Sequence, residues 1–244
     1  MSGHSKWSTI KRKKGVLDAK RGKIFTNIIR EIITSTRIGG KDASSNPRLR
    51  LAIDEAKANN MPKENIERAV KKGAGELEGE TYEEIIYEGY GPAGVALLIE
   101  TLTDNRNRTV SEVRHALSRH GGSLGESGCV LWMFNKKGII GFDANVHSED
   151  KVMEAALDAG AEDIKTEEDE IIVYTDARDF ENIKLAFESK GLEAKFSELS
   201  YIPQTIIQLK GKEADQMVKL MDVLEDIEGV QNVYANFDIQ EAEA

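Results

Sequence analysis

The spacing of apolar residues changes at a glycine-rich segment, Gly73–Gly79. Before it, residues 23–40 place apolar side chains on one helical face, and shorter helices are predicted over 46–58 and 62–72. After it, short apolar runs suited to strands alternate with amphipathic segments suited to helices. The sequence therefore predicts an α+β protein whose N-terminal part, residues 1–78, is a helical bundle.

Residues 138–202 follow the order βαββαβ, which is the ferredoxin-like arrangement. The segments on either side, 94–135 and 205–237, each have the order βαβ and would together complete a second ferredoxin-like sandwich. Because an insertion is tolerated where its ends lie close together, we predict two ferredoxin-like α+β domains, one inserted in the other. The predicted division is a basic helical domain at 1–78, a middle α+β domain at 79–134 plus 204–244, and an inserted domain at 135–203.

Two local predictions concern the middle domain. The run CVLWMF, Cys129–Phe134, is predicted as a strand, which would make Cys129 a buried thiol rather than a nucleophile. Thr109 and Glu112 have the spacing of a capping box, so a helix is predicted to begin beside them after a polar loop.

Charge is distributed very unevenly along the chain. Residues 1–72 carry 18 Lys or Arg against 7 Asp or Glu, whereas residues 73–244 carry 15 against 36. The first 25 residues, called here the basic lead, hold eight cations and one acid, although the whole protein has a net charge of -10. A cationic segment on an acidic protein favours a polyanionic partner, most commonly nucleic acid. The alternative is a solvated basic tail without a partner.

The candidate phosphate-binding cations are those of the basic lead together with one arginine of the first predicted helix: Lys6, Lys11, Arg12, Lys13, Lys14, Lys20, Arg21, Lys23 and Arg30. Four further cations could broaden this patch: Arg48, Arg50, Lys71 and Lys72. Trp7 lies among the lysines and could stack on a base or attach the N-terminus to the bundle.

A second candidate contact lies at Asn105–Arg108, where a helix of the middle domain begins. Arg106 and Arg108 alternate with two amides, a combination that can hold phosphates or base edges. The alternative is an exposed loop that only leads into the helix.

No catalytic or metal-binding pattern is apparent. The four histidines and single cysteine form no HExxH or CxxC spacing, and there is no GxxxxGK[ST] phosphate loop. We therefore predict a protein that is not an enzyme and that uses no cofactor or metal. One cysteine, no secretory signal and no apolar run of about 18 residues favour a cytoplasmic protein without a membrane partner.

Three long segments resemble one known family. Residues 3–25 (GHSKWSTIKRKKGVLDAKRGKIF), 46–73 (NPRLRLAIDEAKANNMPKENIERAVKKG) and 87–117 (YEGYGPAGVALLIETLTDNRNRTVSEVRHAL) are similar to the YebC/PmpR family. This family includes the mitochondrial translational activator of cytochrome oxidase. The resemblance covers essentially the whole chain. It implies a cytoplasmic bacterial protein with a helical N-terminal domain and two α+β domains. It also implies either DNA-binding transcriptional regulation or an RNA-binding role in translation at the ribosome.

The resulting functional prediction is a non-enzymatic nucleic-acid-binding regulator of gene expression, with transcriptional regulation through DNA as the first choice. A ribosome-associated translation factor that binds rRNA or tRNA is the first alternative. A small-molecule sensor is the second, by analogy with ligand sites between ferredoxin-like domains. A monomer is favoured. The acidic domains are expected to set orientation or contact protein, because most of their surface would repel phosphate.

Overall fold

The computed structural model describes residues 18–167 and 169–240, with side chains from residue 22 onward. Three helices come first: α1 (Asp18–Gly39), α2 (Pro47–Ala58) and α3 (Lys63–Gly73). Apolar faces of these helices meet in one core that contains Ile28, Ile32, Leu49 and Ala69. Helix α1 begins before the predicted residue 23, so the end of the basic lead is part of the helix.

Asn46 fixes the junction between α1 and α2. Its side-chain oxygen accepts a hydrogen bond from the Leu49 amide at 3.1 Å, and its amide donates to the carbonyls of Ser35 and Gly40. This is the N-cap that the Asn-Pro pair predicts, because the side chain satisfies an amide that has no partner within the helix.

The sheet that follows contains β1 (Glu83–Tyr90), β2 (Ala96–Thr103), the two-residue β3 (Ser123–Leu124) and β9 (Val230–Ala235), in the order β3-β1-β2-β9. All neighbouring strands are antiparallel. Helices α4 (Arg106–Arg119) and α7 (Gly211–Asp226) share a core with this sheet. The α+β class predicted from the sequence is confirmed by this mixture of helices and antiparallel sheets.

The strand that lies beside β2 in the centre of this sheet is not the one that the predicted sandwich implies. A sandwich built only from segments 94–135 and 205–237 would place the strand near residue 207 beside β2. Instead β1 pairs with β2 along its whole length, and the short β8 (Ile207–Leu209) forms a separate parallel pair with β10 (Phe237–Ile239). A hairpin between strands that are neighbours in sequence closes a short loop at little entropic cost. The short β8, in contrast, has few residues that could pair with β2.

The predicted strand Cys129–Phe134 is wrong over most of its length. This segment contains a turn of 3-10 helix at Leu131–Met133, and the next strand begins only at Phe134. The cause is Glu88, whose buried carboxylate accepts hydrogen bonds from the amides of Gly128, Val130 and Leu131. Cys129 is consequently half-buried in a turn.

The remaining residues form β4 (Phe134–Asp143), α5 (Glu149–Ala159), β5 (Asp163–Glu167), β6 (Glu170–Asp176), α6 (Phe180–Ser189) and β7 (Phe196–Pro203). Their antiparallel sheet has the order β5-β6-β4-β7, which is the ferredoxin-like order for βαββαβ. Gly141 on β4 lets Phe196 cover the sheet, since a Cβ there would lie 2.1 Å from the phenyl ring.

The chain separates into two compact units, 1–133 plus 205–244 and 134–204. The helices α1–α3 belong to the same unit as the middle sheet, whereas the sequence predicts separate domains for them. The three-domain division remains a prediction. No helix within residues 18–240, residue 168 aside, is long and apolar enough to cross a membrane.

Candidate nucleic-acid interface

Much of the predicted cationic patch lies at the start of the chain. Lys6, Trp7 and Lys11–Lys14 fall outside the described residues. Lys20 and Arg21 belong to the first turns of α1, where the backbone alone is described. The location of α1 therefore decides where the basic lead joins the folded unit.

Helix α1 lies against the turn that connects α7 to β9. Lys23 donates from Nζ to the carbonyl of Ile227 at 3.1 Å, and Asn27 donates from Nδ2 to the carbonyl of Val230 at 3.0 Å. The turn contains Gly229 at φ +89°, in the left-handed region that L side chains disfavour. The beginning of α1, and with it the end of the basic lead, is thus held at this turn.

Arg30 lies one helical turn further along α1 and is buried. Its side chain is 7% exposed, and Nη2 is 2.6 Å from Oε1 of Glu228. The guanidinium also lies over the Tyr82 ring, 5.5 Å from the centroid. In this arrangement Arg30 is a buried partner of an acid rather than an exposed cation.

Of the four cations predicted to broaden the patch, the two arginines contact other residues of the protein and the two lysines are at least partly exposed. Arg48 is held by Glu31 through Nε and Nη2 and also contacts Glu84, so the guanidinium joins α1, α2 and β1. These partners raise the pKa of Arg48, with burial opposing them. Arg50 donates to the carbonyls of Ala43 and Ser44. Lys71 is exposed and Lys72 half-exposed.

The second predicted contact, Asn105–Arg108, forms the beginning of α4. Asn105 is the N-cap and accepts a hydrogen bond from the Arg108 amide at 3.1 Å. Thr109 is therefore not the cap: it is buried inside the helix, with Oγ1 2.8 Å from Oγ1 of Thr103. The predicted capping box is wrong because Asn105 already occupies the cap position.

Arg106 and Arg108 differ in what they contact. Arg106 is exposed, and no acid within the described part of the chain lies within 4.0 Å of its guanidinium. Arg108 is 37% exposed, and its Nη2 is 2.8 Å from Asp104 and 3.5 Å from Oε2 of Glu228. Arg106 is thus the cation of this turn that is open to a partner without rearrangement.

The two candidate segments therefore meet at Glu228. Arg30 from α1 approaches one oxygen of its carboxylate and Arg108 from α4 approaches the other. The first turns of α1 and α4, separated widely in sequence, are consequently on the same edge of the unit as the turn that carries Glu228.

Sequence reasoning did not find Glu228 or Asn27. Nothing local distinguishes Glu228 among 43 Asp and Glu residues. Arg114 and Arg119, the other two arginines of α4, are exposed further along the helix, away from its first turn.

Within the described residues, no group of three or more His, Cys, Asp and Glu side chains is arranged to hold a metal ion. An open groove on the helical bundle is lined by Ile53, Ile66 and Val70, with the ion pair of Lys41 and Glu76 at its rim.

Family models match nearly all of this chain. The model described as the TACO1/YebC protein N-terminal domain matches residues 5–76, and the model of the TACO1/YebC second and third domain matches residues 82–237. The chain belongs to the TACO1/YebC family. The family resemblance predicted from the three sequence segments is thereby confirmed.

Relatives within the TACO1/YebC family are similar over their whole lengths. A protein of Trichlorobacter lovleyi named probable transcriptional regulatory protein is 59% identical over 98% of this chain and 96% of its own. A protein of Geobacter sulfurreducens with the same description is 58% identical over 100% and 98%. A crystal structure of a conserved hypothetical protein from Aquifex aeolicus has a TM-score of 0.84 and 49% identity, and covers 92% of this chain and 93% of its own.

Proposed function

We propose that this protein is a non-enzymatic, nucleic-acid-binding regulator of gene expression that acts in transcription by binding DNA. The supporting observation is the concentration of eight cations in the first 25 residues of an otherwise acidic protein. Lys23, near the end of this segment, is held at the turn before β9, and Arg106 lies in the first turn of α4. The names of the TACO1/YebC relatives, probable transcriptional regulatory proteins, agree with this choice.

In this proposal the basic lead supplies most of the affinity. Its eight cations are close together in sequence, and the segment contains a single acid, Asp18. Contacts with the phosphate backbone of this kind are not sequence-specific, and they weaken steeply as salt rises because counterions are released on binding. Arg106, on a rigid helix, would fix the position of the nucleic acid relative to the folded unit.

Cations at the beginning of a helix oppose its dipole, at a cost of about 0.3–1 kcal/mol each. Lys20, Arg21 and Lys23 all lie in the first two turns of α1. A bound polyanion offsets this unfavourable arrangement, which gives the positioning of these residues a functional reason.

The test uses the full chain and three partners at one physiological salt concentration. Binding to a duplex DNA and to an RNA hairpin of equal phosphate count is measured by fluorescence anisotropy, and binding to ribosomes by co-sedimentation. We expect tighter binding to the duplex, with an affinity that falls linearly with salt on logarithmic axes. If the protein prefers the hairpin or ribosomes, a role in translation replaces the proposed role in transcription. If it binds none of the three partners, the proposal is refuted.

A further inference from the structure

We propose that Arg30 and Arg108 form a phosphate-binding site that the Glu228 carboxylate occupies in the free protein. A backbone phosphate of the bound nucleic acid would displace this carboxylate and take over both arginines. The inference rests on the proposed function and identifies where, within the folded unit, the polyanion would be held.

The three side chains differ in their freedom to move. The side chain of Glu228 is 57% exposed, whereas that of Arg30 is 7% exposed and that of Arg108 is 37% exposed. Arg30 is buried over the Tyr82 ring, and Asp104 holds Arg108 at 2.8 Å. The carboxylate is therefore the member of the cluster that can rotate into solvent while both guanidinium groups stay in place.

Hydrogen bonding at the cluster is incomplete. The Nε atoms of Arg30 and Arg108 are buried, and neither has an acceptor within the described part of the chain. In a guanidinium the Nε–H and one Nη2–H bond point in the same direction, as Arg48 shows by holding Glu31 with both. Each of the two guanidinium groups therefore keeps a buried Nε–H donor that Glu228 leaves without an acceptor.

A phosphate would satisfy these donors better than the carboxylate does. Each oxygen of the Glu228 carboxylate receives a single Nη2 contact, at 2.6 Å from Arg30 and 3.5 Å from Arg108. A phosphodiester presents tetrahedrally placed oxygens, and arginine binds phosphate through two parallel N–H groups. Buried donors without acceptors are unfavourable, so a ligand that pairs them gains relative to the internal acid.

The surroundings favour a chain of phosphates over a single anion. Lys23 lies on the same turn through the Ile227 carbonyl, and Arg106 is exposed beside Arg108. A polyanion that reaches Arg106 and the basic lead would place further phosphates near Glu228. Its repulsion of the carboxylate would assist the displacement.

The decisive variant is Glu228→Gln, which removes the competing charge and keeps the size of the side chain. The matched control is Asp226→Asn, because Asp226 is exposed, lies two residues away and changes the net charge equally. Binding of the same duplex DNA and RNA hairpin is measured by anisotropy at one salt concentration. We expect Glu228→Gln to bind about threefold to tenfold more tightly than Asp226→Asn.

A double variant tests whether the gain passes through the arginines. Adding Arg108→Ala to Glu228→Gln should remove most of the gain, whereas adding Arg119→Ala, at the far end of α4, should not. Nucleic acid should also raise the melting temperature of Glu228→Gln more than that of the wild type, since it supplies the missing partner of Arg30.

Three outcomes would overturn the inference. If the wild type binds nucleic acid but Glu228→Gln binds no more tightly than Asp226→Asn, the acid is a static interface contact and only this inference fails. If the wild type binds none of the probes, the proposed function fails as well. Should Glu228→Gln not fold, Arg108→Ala in the wild type must still weaken binding more than Arg119→Ala, and equal effects would refute the site.

Discussion

Arg30 and Arg108 approach opposite oxygens of one carboxylate, that of Glu228, at 2.6 Å and 3.5 Å. One arginine comes from α1 of the helical bundle and the other from the first turn of α4 on the middle sheet. The shared acid therefore ties the bundle to the sheet and pairs with two of the predicted phosphate-binding cations. Among the described residues of this edge, Arg106 remains an exposed cation.

The basic lead is tested by replacing Lys11, Arg12, Lys13 and Lys14 together with Ala. If about four phosphate contacts are lost, the slope of log affinity against log salt should decrease in magnitude by about 3–4 units. Titrations with duplex DNA at several salt concentrations measure this slope. A control variant removes four exposed lysines elsewhere, namely Lys57, Lys63, Lys212 and Lys219. An equal decrease in both variants would assign the effect to net charge and remove the lead from the interface.

Arg106→Ala tests the first turn of α4. Because Arg106 is exposed and has no acidic partner in the described chain, the substitution should change the free energy of unfolding by less than about 0.5 kcal/mol. Affinity for nucleic acid should nevertheless fall, and Arg119→Ala on the same helix serves as the control. A large loss of melting temperature with unchanged binding would make Arg106 a structural residue.

Glu88 makes stability depend on pH in a defined direction. Burial alone would raise the pKa of this carboxyl, but the amides of Gly128, Val130 and Leu131 outweigh burial and lower the pKa. A carboxyl with a lowered folded-state pKa stabilises fully above the unfolded value of about 4.3, and the stabilisation is lost as pH falls below it. Glu88→Gln should therefore lower the free energy of unfolding at neutral pH by about 1–3 kcal/mol.

The same difference should shrink as denaturant unfolding is repeated at pH values progressively below the unfolded-state pKa of about 4.3, because protonation of this carboxyl then favours the unfolded chain. Glu126→Gln is the control, since Glu126 is an exposed acid in the same loop. A difference between Glu88→Gln and the wild type that is constant with pH would show that charge on Glu88 is not the stabilising factor.

Excision tests the proposed insertion of the βαββαβ domain. Phe134 and Pro203 are register partners on β4 and β7, so the two ends of this segment are adjacent. Residues 134–204 expressed alone should fold, and joining Met133 to Thr205 by a short Gly/Ser linker should leave the remainder folded. Removing a long insertion changes the free-energy cost of loop closure by only about 0.6 kcal/mol for each halving of the length of the loop.

Circular dichroism and thermal melting of both products provide the measurement. The excised protein should keep its affinity for nucleic acid, because the basic lead and Arg106 remain in it. Two unfolded products would show that the segment and its host depend on each other, and the domain division would have to be redrawn.

The sequence by itself determined the elements whose signals are local. Asn46 followed by Pro47 predicts the start of α2 because cap and first turn are neighbours in the chain. The span of α6, Phe180–Ser189, and the βαββαβ order are likewise predictable, since apolar periodicity reports which face of each element is buried. The α+β class follows from such patterns, whereas the resemblance to the TACO1/YebC family rests on the likeness of the segments 3–25, 46–73 and 87–117.

Tertiary structure decided what depends on partners far away in sequence. Glu88 turns Cys129–Met133 away from the expected strand only because the fold brings its carboxylate to those amides. Arg30 looks like any other cation of the patch until Glu228 is found beside it. The sequence shows that a residue is charged. Long-range packing determines whether that charge faces solvent or an acidic side chain, and the strength of the interaction then depends on the distance between the charges and on the exclusion of water.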